Sequence, residues 1–282
     1  MANSTTTDVA ALIEKRVSSI VTETLIQESV ALPTIMDRSS QVGPGMDRLD
    51  VPLFNELAAQ NVSETAAMTA QVINPTGAQL NLDQHKAIPF SITRKAGQQS
   101  KVALVPEALR NGARTLAAEV DNFLFGIIDA GTATAAPDHR QPLTVGDPLA
   151  DIVLAKRLLD DANVPRGQRY LAASPGFCQA LLSTSNIIRA QDYGNSQPIQ
   201  NGYVGSVYGF MIVETSSASI IDDGFHAYHM DSVCFARQIQ PELRTEEKAL
   251  EMRTDYVLSH LYGGVYSDAA GVRSVVFDAD GA

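Results

Sequence analysis

Histidine is the side chain that most often binds metals and moves protons near neutral pH, and it occurs five times in the chain. His226 and His229 are three residues apart, a spacing that on a helix could place two imidazoles around a metal ion. The segment around them reads as a strand, where residues three apart point to opposite faces. Cys234 alone does not complete a ligand set, and His260 lies in a second alternating segment. The spacing therefore predicts packed strand histidines rather than a metal site.

Other motifs that would carry chemistry are absent from the sequence. There is no Gly-x-Ser-x-Gly elbow, and Ser174, followed by Pro-Gly, is better placed to cap a helix than to act as a nucleophile. The glycines Gly202, Gly205 and Gly209 lack the spacing of a dinucleotide loop. Acidic residues lie close together at three places, which are Asp222-Asp223, Glu246-Glu247, and Asp278 with Asp280. We interpret each as a solvated turn or the end of an element. We assign no catalytic, cofactor-binding or metal-binding residue.

Composition sets the class of protein. The chain has 282 residues, enough for one or two domains, with 45% hydrophobic and 19% charged residues. Its formal net charge of −11 argues against a basic nucleic-acid binder. The longest apolar run, from Val207 to Val213, is far shorter than the about 20 residues that a membrane helix needs.

The first part of the chain reads as a helix followed by extended segments. Apolar residues from Val9 to Ile20 recur at three- and four-residue steps, which predicts an amphipathic helix over residues 8–31. Residues 51–95 are extended and irregular, with candidate strands in DVPLF, AQVI and AIPFSITRK. Asn74-Pro75-Thr76-Gly77 predicts a turn. Because the large apolar residues are scattered, we expect a long two-stranded arm here.

The strongest helical signal follows Pro106 and Glu107, which are both favoured in a first turn. An apolar stripe then predicts a helix of about 25 residues, or about 37 Å. We expect Gly131 to end this helix. The stripe consists of Leu109, Ala113, Leu116, Val120, Phe123, Leu124, Ile127 and Ile128.

An α/β unit is predicted beyond a loop at 132–144. Asp147-Pro148 opens a second helix, RYLAA from Arg169 forms a short strand, and Ser174-Pro175 opens a third helix. A polar surface loop over 183–202 follows. Single strands are then predicted over 204–215 and 225–236.

The last segment has the clearest strand alternation, and a turn at Tyr262-Gly263-Gly264 and a strand VRSVVFDA follow it. These strands and the long helix would form a second unit that the chain leaves and re-enters. The residues predicted to share one face are Leu250, Met252, Thr254, Tyr256 and Leu258.

This order of elements resembles that of the major capsid proteins of tailed bacteriophages. Three short sequence segments, which follow one another in the same order as in that family, strengthen the resemblance. VPRGQRYLAASPGFCQALL resembles the family's Pro-x-x-x-Arg-Tyr strand with its Pro-led helix, and GYVGSVYGFMIVETSS resembles its glycine-punctuated segment. HMDSVCFA resembles the strand before the return, although Ser232 stands where alanine is usual. The resemblance covers about residues 46–282.

The resemblance implies an α+β fold, the tailed-phage major capsid protein fold. It implies an N-terminal arm at 1–45 and an extended β-hairpin loop at 46–98, whose outer part at 61–84 would pack on an adjacent subunit. A peripheral domain with the long spine helix would take 99–145 and 239–282. An α/β axial domain would take 146–238.

The implied function is structural: a major capsid protein, not an enzyme and without cofactors. Copies would self-assemble as hexamers and pentamers into an icosahedral shell around double-stranded DNA. Expected partners are other copies of the chain, with portal, scaffolding and decoration proteins, and DNA without sequence-specific contact; no membrane is expected. The chain would belong to the virion capsid and assemble in the host cytoplasm, where Cys178 and Cys234 would stay reduced.

Three alternatives stay open at this point. One is an encapsulin-like compartment shell of the same fold, which is disfavoured because the chain has no tryptophan for the N-terminal helix expected there. The others are a soluble acidic α/β enzyme with an unrecognised site, and a baseplate or tail protein. Some relatives cross-link Lys to Asn between subunits. Lys86 and Lys95 lie in the right region, but neither the Asn nor a catalytic Glu has a matching position, so no cross-link is predicted.

Overall fold

The computed structural model describes residues 29–53, 59–62, 70–72, 76–100, 104–135, 137–144, 146–183, 205–220, 223–267 and 273–278. The predicted helix at 8–31 and the predicted loop at 183–202 lie outside these ranges, apart from residues 29–31 and 183. Residues 29–31 are not helical, and Ser183 ends a helix.

Within the described ranges the α-helices are α1 (Arg94–Gln99), α2 (Leu104–Ala135), α3 (Pro148–Asp161) and α4 (Pro175–Ser183). The strands are β1 (Met36–Asp37), β2 (Arg48–Leu53), β3 (Thr76–Asn81), β4 (Gln84–Thr93), β5 (Arg140–Pro142), β6 (Arg169–Ala173), β7 (Ser206–Val207), β8 (Phe210–Glu214), β9 (Phe225–His229), β10 (Val233–Lys248), β11 (Arg253–Tyr266) and β12 (Ser274–Asp278). Short 3-10 turns lie at Leu32–Thr34, Ser39–Gln41, Pro137–His139, Met230–Ser232 and Ala249–Glu251. None of these helices combines the length and apolar character needed to cross a membrane.

The six-stranded sheet has the order β5-β12-β9-β6-β8-β7 and is covered on both faces. One face packs on α3 and α4 and the other on residues 120–128 of α2. Because both faces are covered, β9 is buried along its whole length. The first face consists of Leu171, Ala173, Phe225, Ala227, Val275 and Phe277, and the second includes Ala172, Tyr228 and Val276.

The four-stranded sheet has the order β1-β10-β11-β4 and also lies between two layers. Residues 109–117 of α2 cover one face, where Leu116 packs with Leu243 and Leu258. The β2–β3 pair covers the other face through Leu80 and its neighbours. The long helix therefore spans both sheets and joins them into one body.

The helix α2 confirms the predicted apolar stripe but not its predicted end. All eight stripe residues are buried or half-buried. The helix continues past Gly131 to Ala135 and has 32 residues. A Cβ at Gly131 would overlap the ring of Tyr266. This glycine therefore allows the helix to lie close to β11 and does not end it.

The predicted glycine turn at Tyr262-Gly263-Gly264 is wrong, because all three residues lie within β11. Gly263 pairs with Ala236 of β10, and a Cβ there would overlap the backbone carbonyl of Asn81 at the end of β3. The glycine allows a close approach between two layers rather than a change of direction.

Two segments predicted as single strands are each divided. Residues 204–215 contain β7 and β8, joined by Tyr208 and Gly209 at positive φ angles of 51° and 92°, and so form a hairpin. Residues 225–236 contain β9 and the start of β10, with the turn Met230–Ser232 between them. β9 belongs to the six-stranded sheet and β10 to the four-stranded sheet, so the chain crosses between the sheets at this turn.

The predicted face from Leu250 to Leu258 is wrong at its first two positions. Leu250 lies in a 3-10 turn and Met252 has a left-handed φ of 51°, so β11 begins only at Arg253. Leu250 is 102% exposed and Met252 63% exposed, whereas Leu258 is fully buried.

The extended segment is partly a packed element. Within β4 the predicted alternation is confirmed, since Ile88, Phe90 and Ile92 are half-buried between exposed neighbours. The predicted turn is wrong at Thr76 and Gly77, which begin β3. For AQVI, residues 70–72 are not in a strand and residue 73 lies outside the described ranges.

The β2–β3 pair, which we call the ribbon, packs on its own chain. Leu80 is fully buried and Val51 nearly so, against the four-stranded sheet. The expectation that all of 61–84 rests on an adjacent subunit is therefore wrong for residues 76–84. The described residues of the chain between β2 and β3, 59–62 and 70–72, are all exposed.

Candidate assembly surfaces

The two histidines of β9 are packed side chains at the centre of the six-stranded sheet. The ring of His226 meets Phe125 of α2 edge to face, with 6.2 Å between ring centroids. Burial, with a smaller contribution from the charge of Arg140, lowers the pKa of His226 to about 3. His229 Nδ1 accepts a hydrogen bond from the Asp231 backbone N–H at 3.2 Å. Both imidazoles are therefore packed side chains of the protein interior.

His260 lies in β11, with its ring centroid 4.8 Å from that of Tyr262. Among the described residues, there is no hydrogen-bond partner for either ring nitrogen of His260 or for the Tyr262 hydroxyl. Burial, reinforced by the charge of Arg237, lowers the pKa of His260 to about 4. Over the described ranges, no group of three His, Cys, Asp or Glu side chains is placed to hold a metal ion.

The predicted cap is confirmed, because Ser174 Oγ accepts a hydrogen bond at 3.1 Å from the Phe177 N–H at the start of α4. The two cysteines are free and lie in different clusters, Cys178 beside α3 and Cys234 beneath the ribbon. Burial raises the pKa of the Cys178 thiol to about 11, so it stays protonated.

The paired acids do not meet in one cleft. Asp278 pairs with Arg140 at 2.7 Å, and Asp223 lies against Gly176 at the start of α4. Glu246 and Glu247 are exposed on β10. Asp222 and Asp280 lie outside the described residues.

A half-open cavity of about 280 Å³ lies where the N-terminal segment reaches α2. Asp121, one of several polar residues that line it, is nearly buried and accepts three hydrogen bonds. The Ser29 hydroxyl donates at 2.5 Å, the Val30 N–H at 2.9 Å and the Ala31 N–H at 3.0 Å. Burial raises the pKa of Asp121, while the three donors oppose that rise.

Asp121 therefore holds residues 29–31 against α2. Sequence reasoning missed this role, and the only signal for it was a single acid next to the apolar stripe of α2. Because its carboxylate oxygens are taken up by backbone and hydroxyl donors, Asp121 is an anchor for the N-terminal segment.

Six of the exposed large apolar side chains among the described residues lie, two each, in or beside three connections between strands, whereas Met46, Val153 and Val257 are exposed singly elsewhere. Val62 is 80% and Val72 72% exposed in the chain between β2 and β3. Tyr208 and Met211 are half exposed on the β7–β8 hairpin. Leu250 and Met252 form the third pair, in the β10–β11 connection. Apolar groups grouped in this way mark contact surfaces for other molecules.

Comparison with solved structures shows the class of fold. A chain from Mycobacterium phage Che8 superimposes with a TM-score of 0.71 at 23% identity, covering 90% of this chain and 92% of that one. The capsid structure of cyanophage P-SCSP1u gives a TM-score of 0.67 at 15% identity, covering 87% and 86%. The mature capsid of bacteriophage PhiM1 gives 0.65 at 13% identity, covering 89% and 86%. The mixed helix and strand fold is that of tailed-phage capsid chains.

A family model described as phage capsid protein matches residues 77–274, which is more than half of the chain. No curated protein matches the chain. The chain belongs to the phage capsid protein family, and its function is that of a major capsid protein, a structural component of the virion shell.

Proposed function

We propose that many copies of this chain form hexamers and pentamers that close into an icosahedral shell around double-stranded DNA. The observation that carries this proposal is the contrast between a layered body with a buried core and the exposed apolar side chains at three connections between its strands. A body that buries its own core but leaves such side chains exposed is suited to repeated contact with further copies.

The proposed domains do not follow the two sheets one to one, because β5 and β12 of the peripheral segments lie in the six-stranded sheet. We place the N-terminal arm at 1–45, the extended loop at 46–98, the peripheral domain at 99–145 and 239–282, and the axial domain at 146–238. Pairing of β5 and β12 within the six-stranded sheet ties the peripheral segments to the axial unit. Under this division the two domains share strands and move together.

Repeated weak contacts would supply the assembly energy. A specific interface buries about 1,600 Å² in total. In a closed ring each copy makes two such contacts, and linkage through the ring raises the effective concentration of each partner. A net charge of −11 suits a container for DNA, because a strongly basic lining would bind the packaged DNA tightly.

The proposal also covers the partners of the chain and the site of its assembly. Portal, scaffolding and decoration proteins would join the shell, DNA would be contacted without sequence specificity, and assembly would occur in the host cytoplasm. The chain would carry out no enzymatic reaction and bind no cofactor or membrane. The packed states of His226, His229, His260 and Ser174 support a structural role.

The test is expression of the full chain followed by size-exclusion chromatography and negative-stain electron microscopy. We expect megadalton particles with icosahedral outlines. A monomer or small oligomer at all concentrations would contradict the proposal and favour an enzyme, and rods or open rings would favour a tail component.

A further inference from the structure

Residues 29–37, which we call the clasp, are attached to three different parts of the body. Asp121 of α2 accepts hydrogen bonds from residues 29–31 at one end of the clasp. In its middle, Thr34 Oγ1 lies 2.6 Å from the hydroxyl of Tyr228 in β9. At the other end, β1 pairs in parallel with β10. One short segment therefore contacts the long helix, the six-stranded sheet and the four-stranded sheet.

The apolar side chains of the clasp fill the junction between these elements. Ala31 and Ile35 are buried in one cluster with side chains from α2, β9, β10 and β11. Their partners there include Val120, Tyr228, Phe235 and Tyr262. Because the cluster takes side chains from the helix and from both sheets, the clasp can dock fully only after those elements have come together.

The attachment of the clasp is nevertheless small. The strand β1 has two residues, and Ala31 and Ile35 are the buried apolar side chains of the clasp, while Leu32 and Met36 are half-buried. Segments with few buried apolar contacts open at a lower free energy than the whole domain. We therefore expect the clasp to open while α2 and the two sheets stay folded.

We propose that the clasp has a docked and a released state, that it docks only on a completed body, and that copies of the chain assemble only while it is docked. Release would expose part of the apolar cluster at the junction and remove the strand that pairs with the start of β10. If only docked copies can join, the apparent affinity between copies falls with the docked fraction. This inference rests on the proposed function and adds a control on which copies enter the shell.

Hydrogen exchange of the unassembled full chain tests the two states. Asp121→Ala removes the acceptor for three donors at one end of the clasp. Amide exchange should then rise at least about tenfold along the whole clasp, as expected for a unit that opens cooperatively. The rise should include the Arg38 N–H just beyond the other end, which donates to the Phe235 carbonyl at 2.8 Å. Circular dichroism should still show a cooperative melt.

Tyr228→Phe is a second, milder variant, because it removes one hydroxyl and keeps the buried ring. It breaks the attachment in the middle of the clasp, so exchange should rise at both ends, including the Val30 N–H on Asp121. Both variants should lower particle yield, measured by size-exclusion chromatography and electron microscopy. The loss should follow the fall in the docked fraction.

Asn122→Ala is the matched control, next to Asp121 on α2. The Asn122 side chain holds a different segment, accepting hydrogen bonds from the Ser217 hydroxyl at 2.6 Å and the Ala218 N–H at 2.9 Å. We expect faster exchange at 217–219, unchanged exchange in the clasp and a particle yield near that of the wild type.

Faster exchange confined to the residues beside each substitution would overturn the inference, because the clasp would not move as a unit. Normal particle yield from chains with a released clasp would also overturn it, while the proposed function would stand. A yield from Asn122→Ala as low as that from Asp121→Ala would show that assembly responds to any loosening on α2, and would overturn the specific role of the clasp. Wild-type chain that forms no particles would instead overturn the proposed function, and with it the link between docking and assembly.

Discussion

At the scale of single residues, Gly131 decides how closely α2 approaches β11. The ring of Tyr266 occupies the position of its missing Cβ. That ring cannot easily move, because the Tyr266 hydroxyl and Ser274 Oγ are 2.5 Å apart. The close packing of α2 on β11 at this point therefore requires a residue without a Cβ atom.

We expect Gly131→Ala to lower the free energy of unfolding by about 1–3 kcal/mol through this overlap. Gly97→Ala is the matched control, since Gly97 lies in α1 with open space around its Cβ position. There alanine should stabilise by up to about 1 kcal/mol. Urea denaturation of the unassembled chains measures both, and equal effects would contradict the overlap.

A second residue-scale prediction concerns His260. Its pKa of about 4 in the folded chain lies below the ordinary histidine pKa of 6.5. Between those values the unfolded chain binds more protons than the folded one, so stability falls as pH drops from 6.5 to about 4 and changes no further below that. Each pKa unit corresponds to about 1.4 kcal/mol.

Replacing His260 by Gln should therefore reduce the loss of unfolding free energy between pH 7 and pH 4. The variant remains sensitive to acid because His226 titrates in the same sense. Replacement of the exposed His85 by Gln provides the control. A His260→Gln variant with an unchanged pH profile would show that His260 is not held neutral by burial.

At the scale of elements, α2 depends on the centre of its apolar stripe. Leu116 is 1% exposed and packs against Leu258 and Leu243. Leu116→Asp should cost about 4 kcal/mol or more and give insoluble protein. Its neighbour Thr115 is exposed, so Thr115→Asp should change stability by only about 0.5 kcal/mol. Comparable soluble yields would show that the stripe is not buried.

The ribbon gives the second element-scale prediction. Replacing residues 54–75 with a short Gly-Ser linker should leave a cooperative melt by circular dichroism, because Leu80 and Val51 keep the base packed. Shell formation should fail, since Val62 and Val72 are lost. Leu80→Ala should instead destabilise the body by about 2–5 kcal/mol.

Normal shells from the linker variant would mean that residues 54–75 make no contact that assembly requires. Failure of that variant to fold would place residues 54–75 in the core.

Local signals predicted some elements well. The Asp147 side chain accepts a hydrogen bond from Ala150 N–H at 3.2 Å and Pro148 begins α3, as the sequence indicates. Caps and first-turn prolines act within four residues, so they are readable from sequence. The apolar stripe of α2 was predicted for the same reason.

Features set by distant contacts were not predictable. Gly131 and Gly263 read as helix end and turn, but each serves a layer brought close by the tertiary fold. Leu250 and Met252 continue a period-two pattern, yet the left-handed Met252 ends it.

At the scale of the whole molecule, assembly should be visible in thermal melts. Binding between folded copies stabilises the folded state by mass action. We expect the melting temperature of the wild type to rise with protein concentration. The chain with residues 54–75 replaced should melt at a constant temperature by differential scanning calorimetry. A wild-type melt independent of concentration would count against self-association.

The turn at Met230–Ser232 joins the last residue of β9 to the first residue of β10. Ser232 is fully buried, and its carbonyl accepts a hydrogen bond from Ser267 N–H at 2.8 Å. A force applied to either sheet is therefore transmitted to the other through three residues of covalent backbone. This path does not depend on a side-chain contact that could break. A shell stretched from within should strain at the seams between copies before the two sheets of any copy part.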